Sequence, residues 1–140
     1  MKLGRLNHVG VVTPDIEAGI AFWRDTMGAT EIGEPFDMPE QGVRVCFVDT
    51  LSGGTQIELL APLGPDSPIT AFLQRNPLGG QHHLAFEVPD IHAAHQWFTA
   101  QHKRILGTIR IGAHGTPVFF VHPKDMAGVL TEIMETPAHA

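Results

Sequence analysis

The 140-residue sequence lacks most features that mark secreted, membrane or nucleic-acid-binding proteins. It contains one cysteine, Cys46, so no disulfide can form within the chain, which favours a reducing cytoplasm. It has no apolar run near the length of about 20 residues that spans a membrane, and its first residues lack the apolar stretch of an export signal. Its formal net charge of −6 argues against nucleic acid. The sequence therefore predicts a cytoplasmic protein that binds neither a membrane nor nucleic acid.

Familiar catalytic motifs are also missing. Three histidines, His92, His95 and His102, fall on a predicted helix, but none belongs to the HExxH pattern of zinc proteases. The glycine-rich turns do not have the spacing of a phosphate-binding loop. Cys46 stands in an apolar run, where a buried and inert thiol is expected. The chemistry is therefore expected from residues that lie far apart in the chain.

The sequence does contain an internal repeat. The stretch that begins Asn-His8 returns as His-His83, 75 residues later, and Pro-Asp-Ile follows each of these histidines after the same gap. Each copy continues from a short apolar run into a helix-like segment with an aromatic pair. Because side chains alternate along a strand, only one of His82 and His83 can face a common site, and the repeat selects His83.

The hydrophobic pattern predicts the same order of elements in both copies. We expect an α+β fold in which two paired β-α-β-β-β modules form a cupped sheet around a metal site. Module one covers about residues 4–64 and module two about residues 79–136, within a single domain of residues 1–140. The strands of the first module are expected at 6–13, 29–33, 43–50 and 55–60, and those of the second at 82–88, 104–111, 116–122 and 128–135.

Two glutamates repeat together with the histidines. Glu58 and Glu132 each lie between apolar neighbours in the last strand of a module, 74 residues apart. A carboxylate buried without a partner is costly, and one divalent ion held with His8 and His83 would satisfy all four groups. This set suits cobalt, manganese, magnesium or Fe(II), with positions open for substrate, whereas structural zinc would want thiolates. Gln56 is a weaker ligand candidate. A single histidine or glutamate in a strand more often has a structural role than a catalytic one. Two histidines and two glutamates that repeat at nearly the same spacing favour a metal site.

Several longer segments are similar to those of a known family. Over nearly its full length the chain resembles the vicinal oxygen chelate superfamily and, within it, the methylmalonyl-CoA epimerases. The segments that carry this resemblance are Asn7–Val9, Glu40–Val43, Ile57–Gly64, Asp66–Ile69, His82–Val88, Ile111–Gly115, His122–Lys124 and Gly128–Glu132.

The resemblance implies a metal-dependent epimerisation of the α-carbon of methylmalonyl-CoA, or of a close 2-alkylmalonyl-CoA, through an enediolate. It implies the same four ligands, His8, Glu58, His83 and Glu132, around cobalt, manganese or magnesium. It makes Glu40 a catalytic glutamate and Glu132, a ligand able to loosen, the second proton-transfer group. An acyl-CoA substrate and a homodimer are also implied.

Three other functions remain open from the sequence. A glyoxalase I-type lactoylglutathione lyase would use the same four ligands, but the Glu-Gln-Gly-Val context of Glu40 favours the epimerase. An extradiol-type dioxygenase would need only His8, His83 and Glu132 around Fe(II), which leaves Glu58 without a role. A metal-free small-molecule binding protein of the same fold would not need metal-competent residues at all four positions.

Overall fold

The computed structural model describes residues 1–138 and shows a mixed α+β architecture, as the sequence predicts. Three α-helices and nine β-strands are present in this part of the chain. A π-turn, Phe22–Thr26, extends the first helix, and 3₁₀ turns lie at Pro39–Gln41, Leu51–Gly53 and Pro123–Asp125. In chain order the elements are β1 (Leu6–Val12), α1 (Ile16–Ala21), β2 (Glu31–Ile32), β3 (Phe36–Met38), β4 (Val43–Asp49), β5 (Gln56–Pro62), α2 (Thr70–Arg75), β6 (Gly80–Val88), α3 (Ile91–Ala100), β7 (Ile105–Ile111), β8 (Pro117–Val121) and β9 (Thr131–Glu135).

The chain divides into two compact units. The first unit comprises His8–His82, and the second comprises Met1–Asn7 together with the chain from His83 onward. The backbone passes from one unit to the other at the Asn7–His8 and His82–His83 peptide bonds. Each of the two repeated histidines is therefore the first residue after such a crossing.

In the first unit, β5 lies between a parallel and an antiparallel neighbour. It pairs in parallel with β1 and antiparallel with β4, and the other edge of β4 carries β2 and β3. Helix α1 covers one face of these strands, and its Ile16 packs there against a core of the strand residues Cys46, Val48, Leu59 and Ala61. Because strand side chains alternate, the residues on either side of these core positions lie on the opposite face.

The second unit repeats this arrangement. Here β9 pairs in parallel with β6 and antiparallel with β8, and β7 forms the outer edge against β8. Asp90 caps the N-terminus of helix α3, and its carboxylate accepts hydrogen bonds from the backbone N–H groups of His92 and Ala93. Its buried face packs against Phe119, Val121 and Ile133, so α3 covers one sheet face of this unit as α1 does in the first.

The structure corrects the predicted edge strand of the first module. A strand was expected at 29–33, whereas β2 covers only Glu31–Ile32 and an unpredicted strand, β3, follows it. Pro35 lies between the two, has no N–H to donate to the sheet and restricts the residue before it. The edge is therefore interrupted, whereas β7 stays continuous, with an irregular register between Leu106 and Arg110.

No helix in the described part of the chain, residues 1–138, is long and apolar enough to cross a membrane.

Candidate functional site

The first unit brings His8 and Glu58 together on the sheet face that α1 does not cover. The parallel pairing of β1 with β5 places Gly10 directly opposite Glu58, so His8 lies two residues earlier on the same face. The Nε2 atom of His8 is 3.3 Å from a carboxylate oxygen of Glu58. Both residues are buried, with exposed fractions of 0% for His8 and 4% for Glu58.

The second unit builds the same pair from its own strands. In the parallel pairing of β6 with β9, Ala85 lies opposite Glu132, two residues after His83. The Nε2 atom of His83 is 3.1 Å from Oε1 of Glu132, and both side chains are buried. A residue with little or no side chain therefore faces the glutamate in both units, which leaves space for the carboxylate to meet the imidazole.

An aromatic residue flanks each glutamate on its other side. Phe47 of β4 lies opposite Glu58, and Phe120 of β8 lies opposite Glu132. The ring of Phe120 meets that of His83 edge to face, with centroids 5.2 Å apart. The Arg110 guanidinium carbon lies 5.1 Å from the Phe120 centroid. In the first unit the ring of Phe47 instead meets another ring, that of Phe36, at 5.5 Å.

The chemistry of each pair fits a divalent metal ion. An imidazole nitrogen and a carboxylate oxygen are ligands that cobalt, manganese, iron and zinc accept, and carboxylates also suit magnesium. A carboxylate as deeply buried as Glu58 or Glu132 needs a positive partner, since burial of an uncompensated charge is costly. The structure therefore brings the predicted ligands together as two buried pairs, each of one histidine and one glutamate: His8 with Glu58 and His83 with Glu132.

The weaker candidates lie elsewhere. The amide nitrogen of Gln56 donates to Asp49 at 2.7 Å in an exposed hydrogen bond. The thiol of Cys46 is buried, as predicted, and donates to the backbone oxygen of Gly33 at 3.3 Å. Burial raises the pKa of this thiol, and the negative charges of Glu17 and Glu34 act in the same direction. Cys46 is therefore held in its protonated form, which makes it a poor nucleophile and a poor ligand.

Glu40 lies on the 3₁₀ turn Pro39–Gln41, which leads into β4. It is exposed, whereas the proposed ligands are not. The turn adjoins the Val43 end of β4, four residues from Phe47, the register partner of Glu58. Four residues of strand span about 13 Å. The backbone thus holds Glu40 at the margin of the unit, where its carboxylate is open to solvent.

Sequence reasoning from the residues alone did not find Glu40; only the resemblance did. It also missed the small residues opposite the two glutamates, although Gly10 and Ala85 stand two positions after each repeated histidine and could have been recognised there. The contact between Arg110 and Phe120 could not be predicted from the repeat, because in the first unit the corresponding place beside Phe47 is occupied by Phe36.

Comparison with known proteins places the chain in a family. Residues 7–120 match the model of the glyoxalase/bleomycin resistance protein/dioxygenase superfamily. The chain is 52% identical over 133 residues to a mouse protein named mitochondrial methylmalonyl-CoA epimerase, covering 94% of this chain and 73% of the mouse one. It is equally identical, at 52% over 133 residues, to an ethylmalonyl-CoA/methylmalonyl-CoA epimerase from Cereibacter sphaeroides, covering 94% of this chain and 97% of that one.

A solved structure is similar over the whole fold. It is a variant of Streptomyces coelicolor methylmalonyl-CoA epimerase in complex with 2-nitronate-propionyl-CoA. The two chains superpose with a TM-score of 0.86 at 35% identity, covering 98% of this chain and 100% of the other.

Proposed function

Because this chain belongs to the glyoxalase/bleomycin resistance protein/dioxygenase superfamily, we propose that it is an epimerase that inverts the α-carbon of methylmalonyl-CoA. The observation that carries the proposal is the pair of buried His–Glu contacts, one in each unit and in the same strand register. Relatives about half identical over nearly the whole chain carry the name of this activity, and a related structure holds an acyl-CoA analogue.

In the proposed enzyme, His8, Glu58, His83 and Glu132 hold one divalent ion. All four are buried and offer ligand atoms of the right kind. Cobalt, manganese and magnesium are the candidates, because each accepts the carboxylate oxygens and leaves positions open for substrate. When bound, such an ion would act as a Lewis acid that stabilises the negative charge that develops on the thioester oxygen.

The chain's own residues then have to move one proton. The α-carbon of the substrate lies between a thioester and a carboxylate. Removal of its proton leaves the electron pair delocalised towards the thioester oxygen as an enediolate, and protonation on the opposite face completes the inversion without any change of oxidation state. Two groups are needed, one on each face. Glu40 serves one face, and Glu132, oriented by its 3.1 Å contact with His83, serves the other.

The proposal includes a homodimer in the cytoplasm. Several large apolar side chains are exposed, among them Phe22, Leu78 and Trp97, and a second copy of the chain could cover such groups. A free, protonated Cys46 is compatible with a reducing compartment.

The decisive experiment is exchange of the α-proton of methylmalonyl-CoA with deuterated solvent, followed by NMR. Cobalt-reconstituted and chelator-treated protein should be compared side by side. We expect exchange with the reconstituted protein, and loss of exchange after chelation that is restored by adding cobalt.

The negative outcomes separate the alternatives. Absence of exchange by protein with a full complement of metal would overturn the substrate assignment, and ethylmalonyl-CoA and a glutathione hemithioacetal would then be tested under the same conditions. A protein that binds no divalent ion after reconstitution would overturn the metal site, and with it the epimerase.

A further inference from the structure

Ser67 carries a buried hydroxyl with an unused donor. It lies in the loop between β5 and α2, and only 5% of the residue is exposed. Its backbone oxygen accepts from the N–H of Thr70 at 3.1 Å. Its Oγ, however, has no hydrogen-bond partner within residues 1–138. A buried hydroxyl without a partner is unfavourable, so its presence calls for a physical explanation.

The loop with this hydroxyl packs against the turn that carries Glu40. A Cβ atom placed on Gly42 would lie 3.5 Å from Cα and 3.9 Å from Oγ of Ser67, and 3.0 Å from Cδ of Pro68. The backbone N–H of Leu63, at the start of the same loop, donates to the oxygen of Gly42 at 2.9 Å. Ser67 and Glu40 are thus held in adjoining segments of one unit.

We infer that Ser67 is a positioning residue for Glu40, and that its hydroxyl donates to the Glu40 carboxylate when substrate is bound. The inference rests on the proposed function, in which Glu40 is a proton-transfer group. An exposed carboxylate is hydrated and free to adopt several rotamers. Once an acyl-CoA covers the turn, the carboxylate loses that water and needs a new donor. The hydrogen bond to a charged acceptor is among the stronger ones and would fix one orientation.

A purely structural serine would behave differently. If Ser67 only fills space, then replacing it with alanine removes an unfavourable buried polar atom and changes neither turnover nor affinity. If it orients Glu40, then the same replacement leaves the fold intact and slows the proton transfer. The two roles therefore predict different values of kcat for Ser67→Ala, but the same stability.

The test uses Ser67→Ala in the metal-reconstituted full-length protein. We expect a Tm equal to or higher than that of the wild type and an unchanged metal content. We expect kcat to fall about tenfold, with KM within about twofold, because the lost contact is made in the reacting complex. Ser67→Cys, with a weaker donor of similar shape, should give an intermediate kcat.

Thr13→Val is the matched control. Thr13 is also a buried hydroxyl of the first unit, but its Oγ1 already donates to the backbone oxygen of Asp15 at 3.0 Å. Its replacement should lower Tm and leave kcat unchanged, the opposite of the result expected for Ser67→Ala.

Glu40→Gln separates failure of this inference from failure of the proposed function. If Glu40→Gln is inactive while Ser67→Ala keeps the wild-type kcat, then only the role of Ser67 is wrong. If Glu40→Gln keeps full turnover, then the assignment of Glu40 fails and the role of Ser67 fails with it. A parallel loss of Tm, metal and kcat in Ser67→Ala would also overturn the inference, since the loss of turnover would then follow from a damaged fold rather than from the orientation of Glu40.

Discussion

The two units agree closely where they hold the His–Glu pairs and differ at their margins. In both, a parallel strand pair sets a glutamate opposite a small residue and a histidine two positions before it. In both, a phenylalanine flanks the glutamate on the next strand. The outer edges differ: in the first unit the edge is broken at Pro35, whereas in the second β7 is continuous and places Arg110 over Phe120.

The turns that precede β4 and β8 make this comparison sharper. In each turn a glycine in the left-handed region donates its N–H to the oxygen three residues back, at 3.1 Å for Gly42 and 3.0 Å for Gly115. Counted from these glycines, Glu40 corresponds to Ala113. The backbone of the turn is repeated, but the carboxylate is not. A repeated backbone can supply two matched sets of metal ligands. Proton transfer on the two opposite faces of one carbon instead needs different groups, and the carboxylate of Glu40 is present in only one of the two turns.

The largest effect is expected when the two turns are made alike. Glu40→Ala gives the first turn the residue type of the second, and α-proton exchange should fall by about 10²–10⁴-fold, the range of general acid–base catalysis. The metal content should not change. Exchange measured by NMR and metal analysis check both statements.

Glu34→Ala is the control for Glu40→Ala, because Glu34 is also an exposed acid near the same edge. It should retain wild-type exchange. Loss of metal in Glu40→Ala would contradict the proton-transfer role and make Glu40 a ligand.

The next effect concerns the pair of the first unit. Glu58→Ala should weaken metal affinity by at least about tenfold, since even residues that only support a ligand contribute this much. Gln56→Ala should leave the affinity unchanged, because its amide is engaged with Asp49. Titration of the apoprotein with cobalt, followed by absorption, distinguishes the two. The reverse result would mean that the ligand of this strand is Gln56.

A smaller effect tests the small residue beside the second pair. Ala85 is fully buried, lies opposite Glu132 and packs with Val118 and Met134. Ala85→Val adds two methyl groups to this space and should lower the free energy of unfolding by about 1–3 kcal/mol. Ala100→Val, on the exposed end of α3, should cost only about 0.5 kcal/mol. Urea unfolding that ranks the two variants the other way would show that the space beside Glu132 is not tightly filled.

The smallest effect lies in a loop of the second unit and depends on pH. Arg104 holds Asp125 with its guanidinium at 2.8 Å and its backbone N–H at 2.9 Å, and these bonds lower the pKa of Asp125 to about 2. A carboxyl with a lowered pKa in the folded state stabilises the fold above its ordinary pKa, and this contribution is lost as the pH falls through about 2.

Asp125→Asn should therefore be less stable than the wild type at pH 7, and the two should converge near pH 2. Urea unfolding at several pH values measures this convergence. A stability difference that stays constant down to the lowest pH would show that the carboxylate charge is not what Arg104 stabilises.

The histidines and the glutamates could be predicted from the sequence because a repeat states the same information twice. The α+β fold followed from the same repeat and is confirmed. The strand Phe36–Met38 could not be predicted in this way, because the edge of the first unit is interrupted and its pairing is decided by contact with β4 rather than by its own pattern.

Functional residues in turns and loops are harder to predict than those in the strands. An exposed acid such as Glu40 has the same local pattern as any solvated turn residue, and only its likeness to known sequences distinguished it. Ser67 lies in the segment 66–69, which carries part of the resemblance, but its unsatisfied hydroxyl could not be predicted there, since this is a property of the packed structure and not of a spacing in the chain.

The repeated glycine turns also predict different mutational tolerance at two positions that look equivalent. Both glycines have positive φ angles, 67° at Gly42 and 76° at Gly115, which asparagine and aspartate adopt more readily than other residues. A Cβ at Gly42 would meet Pro68 at 3.0 Å, whereas nothing lies within 4 Å of one at Gly115. A saturation library should therefore accept asparagine or aspartate more readily at position 115 than at position 42, where the ring of Pro68 would have to shift by a few tenths of an ångström.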